Sequence, residues 1–181
     1  AADVLLEMGM SVVQLPGGEI QPAMKSGLID AAEFNNPTSD KDFGMQDVSK
    51  HYHLGSFHQS QEFFEVCFNK KKYDALPAEL QAILKYASEA ENSNFYWHNT
   101  NRYADDLISL QKNSGVNVYR TPDSVMGEQL KAWDIVVDRI SAEDPFFKKV
   151  IDSQRAYAEK VMGYLNLNQP DYRLAYNHYF G

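Results

Sequence analysis

The pattern of apolar and polar positions in the second half of the chain predicts long amphipathic helices. From Pro77 to about Asn113 apolar residues recur at helical spacing, and Gly115 follows as a stop signal. A helix of this length measures roughly 55 Å. Its middle, residues 89–94, is polar, which indicates that the helix passes from one packing environment to another. Two further helices are predicted, from Pro122-Asp123 to about Ile140 and from Asp144-Pro145 onward.

The first half predicts shorter elements. Apolar runs at residues 11–15 and 28–34 have the composition of strands, and a helix of about two turns lies between them and ends at Gly27. Strand, helix and strand joined by short connections favour a parallel α/β unit. Residues 62–68 alternate in polarity and predict another strand, and Val116–Tyr119 predicts a short one. Pro37 follows a polar loop and predicts a helix start.

The opening of the chain has the pattern of a helix already under way. Residues 3–8 are helical in pattern, and Gly9 follows them as a C-terminal cap. We expect a fragment of a longer protein, although a trimmed start on a complete domain gives the same pattern.

Composition and charge exclude several classes of protein. The 181 residues are 44% hydrophobic and carry a net charge of −8, which disfavours non-specific binding to nucleic-acid phosphates. The single cysteine excludes an intrachain disulfide framework and a cysteine-based zinc site. No run approaches the roughly 20 apolar residues that span a bilayer.

Few residues form a motif with chemical meaning. Cys67 lies in an apolar run and is expected to be a buried thiol. His51 and His53 fall on one side of an extended segment, where they form either a metal-binding pair without a nearby acidic third ligand or part of a polar surface. Asp105 and Asp106 on the long helix are expected to be solvated charges. Nucleotide-binding loops and a nucleophile elbow are absent from the sequence.

Two polar positions lie at predicted strand ends. Glu33 follows an apolar run and precedes a loop, where the strands of an α/β sheet point into a ligand crevice. Phe34 beside it offers an apolar wall, and His58-Gln59 precedes the next predicted strand. The alternative role for Glu33 is that of an acid capping the Pro37 helix.

Five motifs in order resemble TRAP-transporter substrate-binding proteins of the DctP type, in the mannitol/chloroaromatic branch that includes α-keto-acid binders. The resemblance covers nearly the whole chain. The motifs are Gln14–Ile20 (QLPGGEI), Gly27–Phe34 (GLIDAAEF), Phe57–Ser60 (FHQS), Phe68–Ile83 (FNKKKYDALPAELQAI) and Asp144–Ser153 (DPFFKKVIDS).

The resemblance implies an α/β fold, specifically the C-terminal half of a two-lobe periplasmic-binding-protein fold with one very long spanning helix and C-terminal helices. Residues 1–76 would belong to the ligand-binding lobe, 77–114 to the inter-lobe helix, and 115–181 to a short strand with C-terminal helices. The implied function is periplasmic capture of a small organic acid, such as a 2-oxo carboxylate, for delivery to a TRAP membrane permease. Covalent catalysis is not implied.

The resemblance also implies a binding site. Glu33 matches a strand-end acid that helps hold a metal ion, and Phe34 matches a position, usually Trp, that supplies a carbonyl and a wall. Gln59 matches a position that reaches the same ion or ligand, with His58 as its neighbour. Oxygen donors of this kind suit Na⁺ or Ca²⁺ bridging the ligand. The family's ligand-gripping arginine matches no arginine of this chain and would lie upstream of Ala1.

Two other functions stay open. A helical dimerisation domain would use the long helix, or the aromatic tail at residues 172–180, to form a homodimer. A hydrolase built on Glu33 and His58 would lack both a second acid and a nucleophile.

Overall fold

Helices make up most of the computed structural model, which describes residues 1–58 and 65–181. Two short strands and a 3₁₀ turn at Met45–Asp47 accompany them. The elements are α1 (Ala2–Glu7), α2 (Gly17–Ser26), α3 (Pro37–Asp42), β1 (His51–Leu54), α4 (Lys70–Asp74), α5 (Ala78–Ser114), β2 (Asn117–Arg120), α6 (Asp123–Glu143), α7 (Pro145–Asn168) and α8 (Tyr172–Phe180).

The long helix α5 confirms the helix predicted from Pro77. It contains 37 residues and ends at Gly115, whose φ of 65° is the left-handed conformation that glycine adopts without a side-chain clash. Leu110, 3% exposed, is its buried residue. The polar middle of the helix is exposed, so the helix does not bury one continuous apolar face.

Side-chain caps set the starts of two other helices. The Asn36 side chain accepts from the backbone N–H groups of Thr38 and Ser39, and the Ser39 hydroxyl accepts from the Asn36 N–H, so α3 begins with a complete capping box. Asp144 caps α7 by accepting from Phe146 N at 2.8 Å. Both starts lie where the sequence predicts them.

The sheet of the described residues consists of β1 and β2, which run parallel. His51 pairs with Asn117 and His53 with Tyr119, and the backbone bond from Thr121 N to Leu54 O, at 2.9 Å, extends the ladder. Parallel strands require a crossover connection, and here α5 lies within it.

The strands predicted at residues 11–15 and 28–34 do not form. Both segments lack regular structure, because a strand exists through hydrogen bonds to a neighbour and the described residues offer neither segment such a neighbour. Residues 65–68 of the strand predicted at 62–68 are exposed and also lack regular structure, while 62–64 lie outside the described residues.

Two compact units divide the chain. One comprises residues 1–2 and 11–127; its buried apolar side chains include Ala23, Leu110 and Val116. The other comprises residues 3–10 and 128–181, and its core joins α1 to α6. That core contains Val4, Ala132 and Val136, with Met8 and Ile140 packed against them. The predicted boundaries at 76 and 114 remain predictions.

No helix within residues 1–58 and 65–181 has both the length and the apolar character to cross a bilayer.

Candidate functional site

Glu33 and His58, 25 positions apart in sequence, meet in the first unit. Glu33 Oε1 lies 3.5 Å from His58 Nε2, with the glutamate side chain 40% exposed and the imidazole 11% exposed. Ser56 Oγ hydrogen-bonds to His58 Nδ1 and also accepts from the His58 N–H. Because the ring is held on its other side by Ser56, it presents Nε2 to a carboxylate that solvent can still reach.

Phe34, the next residue after Glu33, packs against a second aromatic ring. Its ring packs edge-on against Phe43, with centroids 5.0 Å apart. A Cβ on Gly17 would lie 3.3 Å from Phe34 Cε2, so the absence of a side chain at the start of α2 lets the ring approach closely. The ring is therefore held between the start of α2 and the residue that follows α3.

The loop after Phe34 is tied to a buried acid on α3. Asp40, 7% exposed, accepts from the Asn35 N–H through Oδ1 at 3.2 Å and from the Tyr52 hydroxyl through Oδ2 at 2.7 Å. Burial raises the pKa of Asp40, while these hydrogen bonds oppose that rise. Since Asn36 caps α3, the alternative assignment of Glu33 as its capping acid is wrong.

Asp106 joins α3 to α5 and is not the solvated charge that the sequence predicts. Its Oδ1 accepts from Lys41 Nζ and its Oδ2 from the Thr38 hydroxyl, each at 2.7 Å, and its side chain is 15% exposed. The hydrogen bond from Lys41, followed by that from Thr38, lowers the pKa of Asp106. Asp105 is exposed as expected and accepts from Asn101.

The histidines of β1 lie beside a tyrosine. The Tyr119 ring stacks near both His51 and His53, and its hydroxyl lies 3.1 Å from His51 Nδ1. Within the described part of the chain, no three His, Cys, Asp or Glu side chains form a group that could hold a metal ion. Both imidazoles are exposed, which favours the polar-surface interpretation of this segment.

Cys67 is exposed, so the prediction of a buried thiol is wrong. It belongs to the 65–69 segment, which forms no strand and so has no sheet face on which to bury a side chain.

Of the four predicted site residues, the structure brings Glu33 and His58 together. Phe34 is adjacent to Glu33 in sequence, and its ring packs against Phe43. Gln59 lies outside the described residues. Sequence reasoning missed the buried acid Asp40 and its partner Tyr52. The signal in the sequence that could have predicted Asp40 was the polar run after Pro37. An acidic side chain on a short, capped helix can accept a hydrogen bond from the loop that precedes the helix.

A family model supplies the decisive comparison. Residues 1–144 match the family described as bacterial extracellular solute-binding protein, family 7 (DctP).

The chain belongs to this family.

Individual relatives agree with the membership. A monocarboxylate 2-oxoacid-binding periplasmic protein of Nostoc sp. strain PCC 7120 is 26% identical over 169 residues, which cover 93% of this chain and 46% of that protein. A TRAP periplasmic solute-binding protein of Pseudoalteromonas atlantica, solved with bound sodium and pyruvate, is 27% identical with a TM-score of 0.78; the match covers 99% of this chain and 54% of that one. A TRAP transporter solute-binding protein of Bordetella bronchiseptica, with calcium and picolinate, is 27% identical with a TM-score of 0.79, over 97% and 51% of the two chains.

The chain thus spans about half the length of the relatives it matches. The expected α/β class and the correspondence to about half of a TRAP solute-binding protein are confirmed. Membership in a family of extracellular solute-binding proteins agrees with the expected transport role and periplasmic location.

Proposed function

We propose that the chain is part of a periplasmic receptor that binds a small organic acid, a 2-oxo or related carboxylate, and delivers it to a TRAP-type membrane permease. The observation that carries the proposal is the 3.5 Å approach of Glu33 to His58, with the aromatic residue Phe34 next to Glu33 in sequence. Two family positions far apart in sequence thereby form one partly exposed polar site.

The ligand class is drawn from relatives. The Pseudoalteromonas protein was solved with pyruvate and sodium, and the Bordetella protein with picolinate and calcium. Pyruvate and picolinate share a carboxylate with a second donor atom on the adjacent carbon. Such ligands chelate a cation, so a receptor for them needs few ion ligands of its own.

The described residues fit such an ion as partial ligands. Glu33 has an accessible carboxylate and Phe34 a backbone carbonyl, and both are oxygen donors of the kind that Na⁺ and Ca²⁺ prefer. Gln59 is the proposed third donor. A single carboxylate in this set favours Na⁺, and a bound Na⁺ or Ca²⁺ ion would bridge the organic acid to the protein.

Binding needs no covalent step. His58 orients the Glu33 carboxylate, and Phe34 excludes water from one side of the ligand. A ligand that contacts these residues better in a closed than in an open arrangement shifts the population toward the closed one. The role assigned to the protein is therefore recognition followed by release to the permease.

Calorimetric titration of the full-length protein with pyruvate tests the proposal, in sodium, in calcium and with chelator in choline buffer. The full-length protein is needed because the family's ligand-gripping arginine is expected upstream of Ala1. We expect binding heat that depends on the cation. The apparent affinity for pyruvate should fall at least about tenfold in Glu33→Gln, because the substitution removes the charged ion ligand. Glu19→Gln changes an exposed acid at the start of α2 and should bind like the unchanged chain. Absence of heat under every condition would contradict the proposal.

A homodimer is the second candidate, in which the C-terminal helices form the interface. The observation that favours it is the aromatic stripe of α8, made up of Tyr172, Tyr176, Tyr179 and Phe180, which are 62–76% exposed. Their spacing places them along one side of the helix.

A further inference from the structure

The peptide group between Phe34 and Asn35 is held by a buried side chain that no comparison assigns to the ligand site. Asp40 Oδ1 accepts from the N–H of that peptide at 3.2 Å. Because a peptide group is planar and almost always trans, its C=O points opposite to its N–H. A bond that fixes the Asn35 N–H therefore also fixes the direction of the Phe34 carbonyl.

Asp40 is itself held on several sides. Its second oxygen accepts from the Tyr52 hydroxyl of β1 at 2.7 Å. The helix that carries it is fixed at its start by the Asn36 capping box and tied to α5 by the Thr38–Asp106 bond. A carboxylate that is 7% exposed is costly unless hydrogen-bonded, and here both oxygens have donors. The carboxylate thus has little freedom to follow the peptide if the peptide moves.

We propose that Asp40 is a positioning residue of the ligand site, which sets the direction of the Phe34 carbonyl through the Asn35 N–H, with Tyr52 orienting the carboxylate. The ligand part of this inference rests on the proposed function. The same contact holds the backbone immediately after Glu33, so Asp40 also limits how far the Glu33 side chain can move from His58.

Hydrogen exchange of the Asn35 amide, measured by NMR, tests the positioning without any ligand. Asp40→Ala should speed this exchange about tenfold or more relative to the rest of α3 and β1, because Asn35 is at the surface and its N–H loses a charged acceptor. Asp106→Asn is the matched control, because it loosens α3 from α5 without touching the Asn35 bond. Equal acceleration in both variants, or none in Asp40→Ala, overturns the proposal.

Two milder variants cover the case in which Asp40→Ala does not fold. Asp40→Asn keeps an acceptor oxygen and should retain most of the Asn35 protection. Tyr52→Phe removes only the hydroxyl donor and should accelerate Asn35 exchange about threefold. Unprotected Asn35 in Asp40→Asn, or unchanged exchange in Tyr52→Phe, contradicts the proposed geometry.

Pyruvate titration of the full-length protein in sodium supplies the second measurement. Asp40→Ala should weaken pyruvate binding about tenfold, whereas Asp40→Asn should retain most of the affinity. A residue that only stabilised the fold would not give this difference between the two variants. If the unchanged chain binds no pyruvate, the proposed function fails while the exchange data still decide the positioning. If it binds pyruvate and Asp40→Ala binds equally well, the positioning proposal alone fails.

Discussion

Three carboxylates of the first unit have the same chemistry and different environments. Glu33 remains partly exposed and close to an imidazole, so it is available to a ligand or cation. Asp40 is buried against a hydroxyl and a backbone N–H, and burial raises its pKa. Asp106 faces an ammonium group, and its pKa is lowered. At this scale, solvent access and the nearest donor separate Glu33, the proposed site residue, from the two structural carboxylates.

Asp106→Asn should lower the free energy of unfolding by about 1–2 kcal/mol at pH 7, because a charge-assisted contact with a partly exposed lysine is lost. The folded-state pKa of Asp106 lies below its ordinary value of 3.8, so its contribution is present above pH 3.8. The contribution is lost as the pH falls through the folded-state pKa. Urea unfolding of both chains from pH 7 to pH 2 measures this.

Asp105→Asn is the matched control for that series. Asp105 is adjacent and exposed, so its variant should differ from the unchanged chain by less than about 0.5 kcal/mol. A pH-independent deficit in Asp106→Asn would contradict the assigned electrostatic origin.

At the scale of elements, helix ends follow from local chemistry. Gly115→Ala should destabilise the first unit by about 1 kcal/mol, because alanine at a φ of 65° meets the left-handed strain that glycine avoids. Gly127→Ala makes the same chemical change inside α6, where the new Cβ has open space. It should stabilise by about 0.5–1 kcal/mol. Thermal melts of the two variants would refute this account if they shifted in the same direction.

The same locality explains what the sequence could and could not predict. The ends of α5 and the start of α7 are set by residues within a turn of each end, so a proline, an aspartate or a glycine sufficed to predict them. The runs at 11–15 and 28–34 have strand composition, but strands depend on a neighbour whose position the pattern does not contain. The prediction that Cys67 is buried was wrong for the same reason, because it depended on a sheet.

The residues of the candidate site also divide into those that the sequence could predict and those that it could not. Glu33, Phe34 and His58 were singled out at the ends of predicted strands, and the family resemblance then implied their role in binding, which stays a prediction. Asp40 was not, because its role depends on a loop turning back onto a short helix and on a tyrosine from β1. The spacing of residues along the chain does not show that this loop and this tyrosine meet at Asp40.

At the scale of the whole molecule, the proposed homodimer predicts a solution mass of about twice 20.6 kDa. Phe180→Glu should shift the equilibrium toward the monomer, because a charge would be buried at the apolar interface. Light scattering over a dilution series measures both. Leu28→Glu is the control: Leu28 is 73% exposed and Phe180 76%, and Leu28 lies in the first unit. A monomer at all concentrations, or equal effects of the two variants, counts against the dimer.

The parallel pairing of β1 with β2 has a consequence for the order of folding. The two strands cannot hydrogen-bond to each other until the chain between Leu54 and Asn117 has folded back and brought them together. Closing this loop costs chain entropy before any of the bonds forms. Helix α5 occupies most of this interval and is built from local contacts, which form sooner than distant ones. We therefore expect α5 to shorten the search by forming first. Tyr52 and Asp40 are only 12 positions apart, so their hydrogen bond does not depend on this closure and can hold β1 against α3 before β2 arrives.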